Sequence, residues 1–127
     1  MRRSVRWYWW GRAWNSANAQ NELRAFIEKA DMPAGCTLLG LSALPTAHPL
    51  NKGMLGMHGN LGPNINTNKC DVLIAVGMRF DDRVTGKLAT YASQAKIIHF
   101  DIDPAEIDKN VKTDVPYWAT VRRLLPQ

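Results

Sequence analysis

Residues 71–77, DVLIAVG, carry the clearest structural signal in the chain. Val72 through Val76 are apolar without interruption, and Gly77 stops them. A half-exposed strand would alternate apolar and polar residues; a continuous run of β-formers is the pattern of a strand buried on both faces. Residues 96–103, KIIHFDID, repeat that pattern, and residues 35–41, GCTLLGL, read as a third, shorter strand. In residues 17–35, ANAQNELRAFIEKADMPAG, Leu23, Phe26, Ile27 and Ala30 fall at helical spacing, and Pro33 and Gly35 follow the last turn. Residues 86–95, GKLATYASQA, read as a short helix. Residues 104–110, PAEIDKN, open with Asp103 as a cap and Pro104 at the first helical position. The stretch 41–64 is rich in Gly, Pro and Asn and reads mostly as loop. Strand and helix thus alternate, which predicts an α/β fold: a parallel β-sheet flanked by helices.

A chain of 127 residues has room for one core. No apolar run approaches the ~20 residues of a membrane span, and the basic N-terminus has no apolar signal-peptide core. Cys36 and Cys70 match no metal-ligand spacing and read as buried reduced thiols of a cytoplasmic protein. The formal charge of +5 invites a nucleic-acid partner, but its distribution argues against one. Arg2, Arg3, Arg6, Arg12, Arg122 and Arg123 lie near the ends, whereas residues 17–116 hold ten Lys/Arg against eleven Asp/Glu.

Ligands of open parallel sheets bind at the carboxyl ends of the strands. Those ends carry Thr37 with Leu38, then GMRFDDR at 77–83, then Asp101 to Asp103. Arg79 and Arg83 with Asp81 and Asp82 suit either a polyanion, through the planar guanidinium fork, or a solvated turn with local ion pairs. GMLGMHG at 53–59 permits close backbone approach to a ligand, though it is not the GxGxxG fingerprint and a plain loop is the favoured reading. Asp101 and Asp103 suit a ribose hydroxyl or a helix cap. His58 is a loop histidine, and His48 and His99 read as structural.

CTLLGL, HPLNKGMLGMHGN, CDVLIAVGMRFDDRVTGKL and KIIHFDIDPAEIDKN together resemble the acetolactate synthase (acetohydroxyacid synthase) large-subunit family over residues 17–116. The resemblance is to the Rossmann-like central domain of these thiamine-diphosphate enzymes, a domain that binds FAD without using it for redox chemistry in the main reaction. It implies flavin contacts at Thr37 and Leu38, and a cofactor-lining loop at Leu55, Gly56, Met57 and His58. It implies diphosphate and ribose contacts at Gly77, Met78, Arg79, Phe80 and Asp81, and adenosine contacts at Asp101 and Ile102. Arg83 is assigned to ordering its own loop. The family enzyme is several times longer, condenses two pyruvates or pyruvate with 2-oxobutyrate in isoleucine and valine biosynthesis, and is a homo-oligomer with a regulatory subunit. Its thiamine diphosphate and magnesium are held by other domains, through a catalytic glutamate and a GDG…N motif; this chain has no GDG and no candidate for that glutamate. The chain therefore reads as a central-domain fragment, inactive alone, with FAD or another adenine nucleotide as its partner.

The ends differ in character. RWYWWGRAWNS at 6–16 holds four of the five tryptophans, and Trp118 stands in PYWATVRRL. Tryptophan has the single codon TGG, so the first stretch can be regrouped in a displaced frame. From the last base of Trp7 it then reads Val-Leu-Val-Gly, an apolar strand ending in glycine. With one base added after Pro116, YWAT reads Val-Leu-Gly-Asp where the free bases are G. Residues 1–16 and 117–127 thus read as frameshifted remnants flanking the 17–116 domain. The rival reading is a basic, Trp-rich membrane or nucleic-acid binder on the same body, with the tryptophans exposed as an interfacial anchor.

Overall fold

In the computed structural model, which describes residues 5–120 and 123, six strands form one sheet in the order β3-β2-β1-β4-β5-β6. The strands are β1 (Arg6–Trp10), β2 (Ala34–Cys36), β3 (Asn51–Met54), β4 (Val72–Val76), β5 (Lys96–Asp101) and β6 (Val115–Trp118). Every pairing is parallel. The expected α/β architecture is the observed one, and β4 and β5 lie where the uninterrupted apolar runs placed them.

Strand β1 fills the centre as written, with no displaced frame needed to make it extended. Aromatic residues favour a pleated surface, and the neighbours of β1 make room for them. Trp9 stands in register with Gly35 on one side and Ala75 on the other, and Tyr8 with Ala34 and Ile74. A methyl group at Gly35 would run into the Trp9 indole. Successive residues point to opposite faces. Tyr8 and Trp10 join Trp14, Leu23, Ile27 and Leu44 in one core, while Trp7 and Trp9 join Leu73, Phe80, Tyr91 and Ile97 in the other.

The four N-terminal tryptophans are therefore core residues, between 0% and 4% exposed. This overturns the exposed-anchor reading for them; only Trp118, 61% exposed on the edge strand β6, matches it. No helix among the described residues is long and apolar enough to cross a membrane. Arg2, Arg3 and Arg122, part of the basic ends, lie outside the described residues, as do residues 1, 4, 121 and 124–127 of the two remnants.

Among the described residues the α-helices, in chain order, are α1 (Ala13–Ser16), α2 (Gln20–Ala30), α3 (Leu61–Thr67) and α4 (Asp82–Thr85). Helix α2 buries Leu23 and Ile27 and ends at Asp31, which takes the left-handed conformation (φ 48°) two residues before Pro33. The strand expected over 35–41 is shorter: Thr37 N donates to Trp10 O at 3.1 Å, and Leu38–Gly40 then turn off the sheet as a 3-10 helix. The stretch read as loop contains β3 and the start of α3. Strand β3 is an edge strand with a register shift against β2, so its composition is under weak constraint. Helix α3 keeps Pro63 in its first turn, where no amide partner is lost.

The helix expected over 86–95 does not form. Gly86 (φ 60°) closes α4, and the segment is held as turns by side-chain bonds to the α3–β4 region. Asn68 Oδ1 accepts from Ala92 N at 2.9 Å, and Gln94 Nε2 donates to Thr67 O and Cys70 O. Asp103 does cap the segment after β5, accepting from Ala105 N at 2.9 Å, but only a 3-10 turn, Pro104–Glu106, follows.

Candidate nucleotide-binding crevice

The strand order makes one position special. From β1 the chain proceeds outward to β2 and β3, and from β4 outward to β5 and β6. The connections thus diverge between β1 and β4, the switch point at which open parallel sheets form a crevice. Both strands end there in glycine. Gly11 N donates to Val76 O at 3.1 Å, and a methyl group at Gly11 would lie 2.7 Å from Met78 Cα. Gly77 adopts φ 62°, a conformation that favours glycine, and packs against Ala13. The two turns are back to back, with no room for a side chain between them.

A cavity of about 830 Å³ opens above these turns, within the usual range for cofactor sites. Thr37 and Leu38 line it from the end of β2, and Leu55, Met57 and His58 from the loop after β3. Gly77, Met78, Arg79 and Asp81 contribute from the β4 end, and Asp101 and Ile102 from the β5 end. The resemblance-derived residues are thus gathered around one space, with two differences. Phe80 does not reach the wall: it is 4% exposed, edge-on to His99 and Tyr91 in the core below. Gly56 also lies off the wall, at φ 100°, in a turn pinned by Asn64, whose amide exchanges two 2.9 Å hydrogen bonds with Gly56 N and O.

Arg83 belongs to the wall as well as to its loop. Its carbonyl accepts from Met57 N at 2.7 Å, tying the two loops together, while the residue itself lines the cavity. The sequence reading missed Arg12, Ala13 and Ser16 of the first strand-to-helix turn, because it set residues 1–16 outside the domain. Gly11 directly after an extended aromatic run was the available signal. Glu106 and Thr120 also line the cavity and were not singled out as contacts; Asp103, read as a ribose or cap residue, lines it too.

The acids of the wall each make contacts within the protein. Asp81 caps α4, accepting from Val84 N at 3.1 Å; Asp101 accepts from Asp103 N at 2.9 Å; Asp103 caps the next turn. Glu106 Oε1 lies 3.7 Å from Arg79 Nε and 3.6 Å from Lys109 Nζ. Beneath Asp101, His99 is fully buried, with Nε2 3.0 Å from Met78 O and 3.7 Å from Asp101 Oδ2. Burial lowers its pKa, and the carbonyl requires the proton on Nε2, which leaves buried Nδ1 without a partner. The ring is thus neutral and holds the ends of β4 and β5 together, as a structural histidine. His48 is structural too, away from the cavity, with Nε2 2.9 Å from Glu28 Oε1. Cys36 and Cys70 are free and buried, and burial pushes both thiols up to about 11.

The thiamine pyrophosphate enzyme central-domain model matches residues 9–127, a span that begins inside β1. Acetolactate synthase isozyme 2 large subunit of Escherichia coli (strain K12) is 51% identical over 110 residues, 87% of this chain and 20% of that protein. The probable acetolactate synthase large subunit of Methanocaldococcus jannaschii is 48% identical over 109 residues, 86% of this chain and 18% of the relative. Acetolactate synthase 1, chloroplastic, of Zea mays is 50% identical over 109 residues, 86% of this chain and 17% of the relative. The chain thus spans a fifth or less of the length of these relatives. With its parallel six-stranded sheet and a family match over nearly its whole length, the chain belongs to the thiamine pyrophosphate enzyme central-domain family.

Proposed function

We propose that this chain is an FAD-binding central domain of an acetolactate synthase large subunit, and that the crevice between β1 and β4 holds the FAD. The observation that carries the reading is convergence. Residues from the ends of β2, β3, β4 and β5, far apart in sequence, face one cavity. The donor set fits the cofactor's chemistry. Leu38, Met57 and Ile102 offer an apolar rim for a ring system, and Arg79 and Arg83 offer guanidinium forks for a diphosphate. Asp101, held by Asp103 N, is placed for a ribose hydroxyl.

Thiamine diphosphate with magnesium supplies the carbon–carbon bond chemistry of the whole enzyme, in which two pyruvates, or pyruvate and 2-oxobutyrate, are joined for isoleucine and valine biosynthesis. This chain's residues bind and orient the flavin nucleotide and shield it from water; the whole enzyme self-associates and pairs with a regulatory subunit. Calorimetric titration of the 127-residue chain with FAD tests the reading, since Arg79→Ala removes a charge-assisted contact that is worth about 1.5–3 kcal/mol. We expect a fall in FAD affinity of about tenfold or more. Binding unaffected by Arg79→Ala would refute the assignment. Incubated with pyruvate, thiamine diphosphate, magnesium and FAD, the 127-residue chain should form no acetolactate, and turnover above a no-protein control would refute the fragment reading.

We infer further that residues 6–10 and 117–120 are encoded in a displaced frame. Polar accounting supports this: the indole nitrogens of Trp7 and Trp9 are buried with no hydrogen-bond partner. Both lie in strand β1, whereas native cores leave few such groups. Sequencing the DNA around the reading frame tests it: related sequence in shifted frames is expected, and an uninterrupted frame would refute it.

A further inference from the structure

We propose that Arg12 is a phosphate-binding residue of the crevice and gives it a preference for the diphosphate of a nucleotide over the same nucleoside without phosphates. The proposal rests on the nucleotide-binding reading but concerns a residue outside every motif that suggested it. Arg12 follows Gly11 directly at the carboxyl end of β1, with φ −55° and ψ −33°, and lines the cavity on the β1 side of the switch point.

The charges on the wall leave Arg12 available. Asp81, Asp101 and Asp103 each accept a backbone N–H, and Glu106 is engaged by Arg79 and Lys109. Among the described residues, no carboxylate lies within ion-pair distance of Arg12 or of Arg83. The wall thus presents two guanidinium groups with no ion-pair partner, one from each side of the switch point. A planar fork of donors in that position matches a phosphate better than a neutral ligand. Ser16, one turn along α1 with its amide bonded to Arg12 O at 3.0 Å, brings a hydroxyl to the same wall. Ala13 between them keeps the approach open.

The test is calorimetric titration with FAD, ADP and adenosine, on the unaltered chain and on Arg12→Ala, Arg12→Lys and Arg79→Ala. Arg12 is exposed, so thermal unfolding of its variants should match the parent and exclude a folding defect. Arg12→Ala should weaken FAD and ADP by about tenfold or more, the scale of one charge-assisted contact, and leave adenosine unchanged. Arg12→Lys, which keeps charge but loses the fork, should fall between them. ADP and FAD binding within about twofold of the parent in Arg12→Ala, or tighter, would overturn this inference. If Arg79→Ala still weakened both ligands, the nucleotide-binding reading would survive that result. No binding of FAD or ADP to the unaltered chain would overturn both.

Discussion

Gly35 and Trp9 are register partners on adjacent parallel strands, and their packing leaves no slack. A methyl group at Gly35 would collide with the six-membered ring of Trp9, with Cε3 only 2.6 Å away. Gly35 is not among the positive-φ residues, so alanine suits the backbone and the cost of Gly35→Ala is steric. Trp9 is fully buried and its ring packs edge-on to Trp7 at 5.4 Å, so it cannot swing aside. Overpacking of this kind costs about 1–3 kcal/mol. Trp9→Val is destabilising for the opposite reason. Truncating a buried aromatic to alanine costs about 3–5 kcal/mol, offset here by about 1–3 kcal/mol because an unpartnered indole N–H disappears. Combined, the two changes compensate, since the methyl group introduced by Gly35→Ala enters space the indole vacates. The double variant should be more stable than the sum of the single effects by at least about 1 kcal/mol, within the usual range for residues in contact. Urea unfolding of the four proteins reads this as shifts of the midpoint at constant m. Effects that add to within about 0.5 kcal/mol would refute the packing of β1 described here.

Other outcomes follow from single groups. Tyr91→Phe removes a buried hydroxyl with no partner and keeps the ring against Phe80, so urea unfolding should show stability unchanged or raised by up to about 1 kcal/mol. His99 is held neutral with its pKa below the ordinary 6.5, so the unfolded chain binds its proton first. Its contribution is therefore complete above pH ~6.5 and lost as the pH falls below that. Stability measured between about pH 7.5 and about pH 5.5 should decline, and His99→Gln should flatten that decline. Cys36 and Cys70, with thiols near 11, should react with an aromatic disulfide reagent at about pH 8 only at the rate of unfolding; prompt modification of either would contradict their burial.

The sheet was legible where side-chain pattern and environment agree. Val72–Val76 are apolar, and Ile97–Phe100 apolar but for buried His99, because the sheet is covered, and the pattern reads that directly. Strand β3 and helix α3 were not legible, because Asn, Gly and Pro dominate them. Their stability comes from tertiary bonds, such as Asn60 Oδ1 accepting from Met54 N at 2.9 Å, that no local propensity encodes. Residues 86–95 failed in the converse way: good helix formers were overridden by tertiary bonds from Asn68 to Ala92 N and from Gln94 to Thr67 O. In the crevice, motif resemblance found Arg79 but carried Phe80 with it, although adjacent residues leaving a strand point to opposite sides. Arg12 was hidden because its unusual neighbours drew attention to their origin and away from their place beside β4.

Whether the β1/β4 switch point is a flavin-nucleotide site is decided by a crystal structure of the chain grown with FAD. One FAD is expected in the crevice, its diphosphate beside the Gly11 and Gly77 turns with Arg79 within hydrogen-bond distance, and its ribose near Asp101. An FAD bound elsewhere on the chain, or one whose diphosphate points away from those turns, would contradict the assignment.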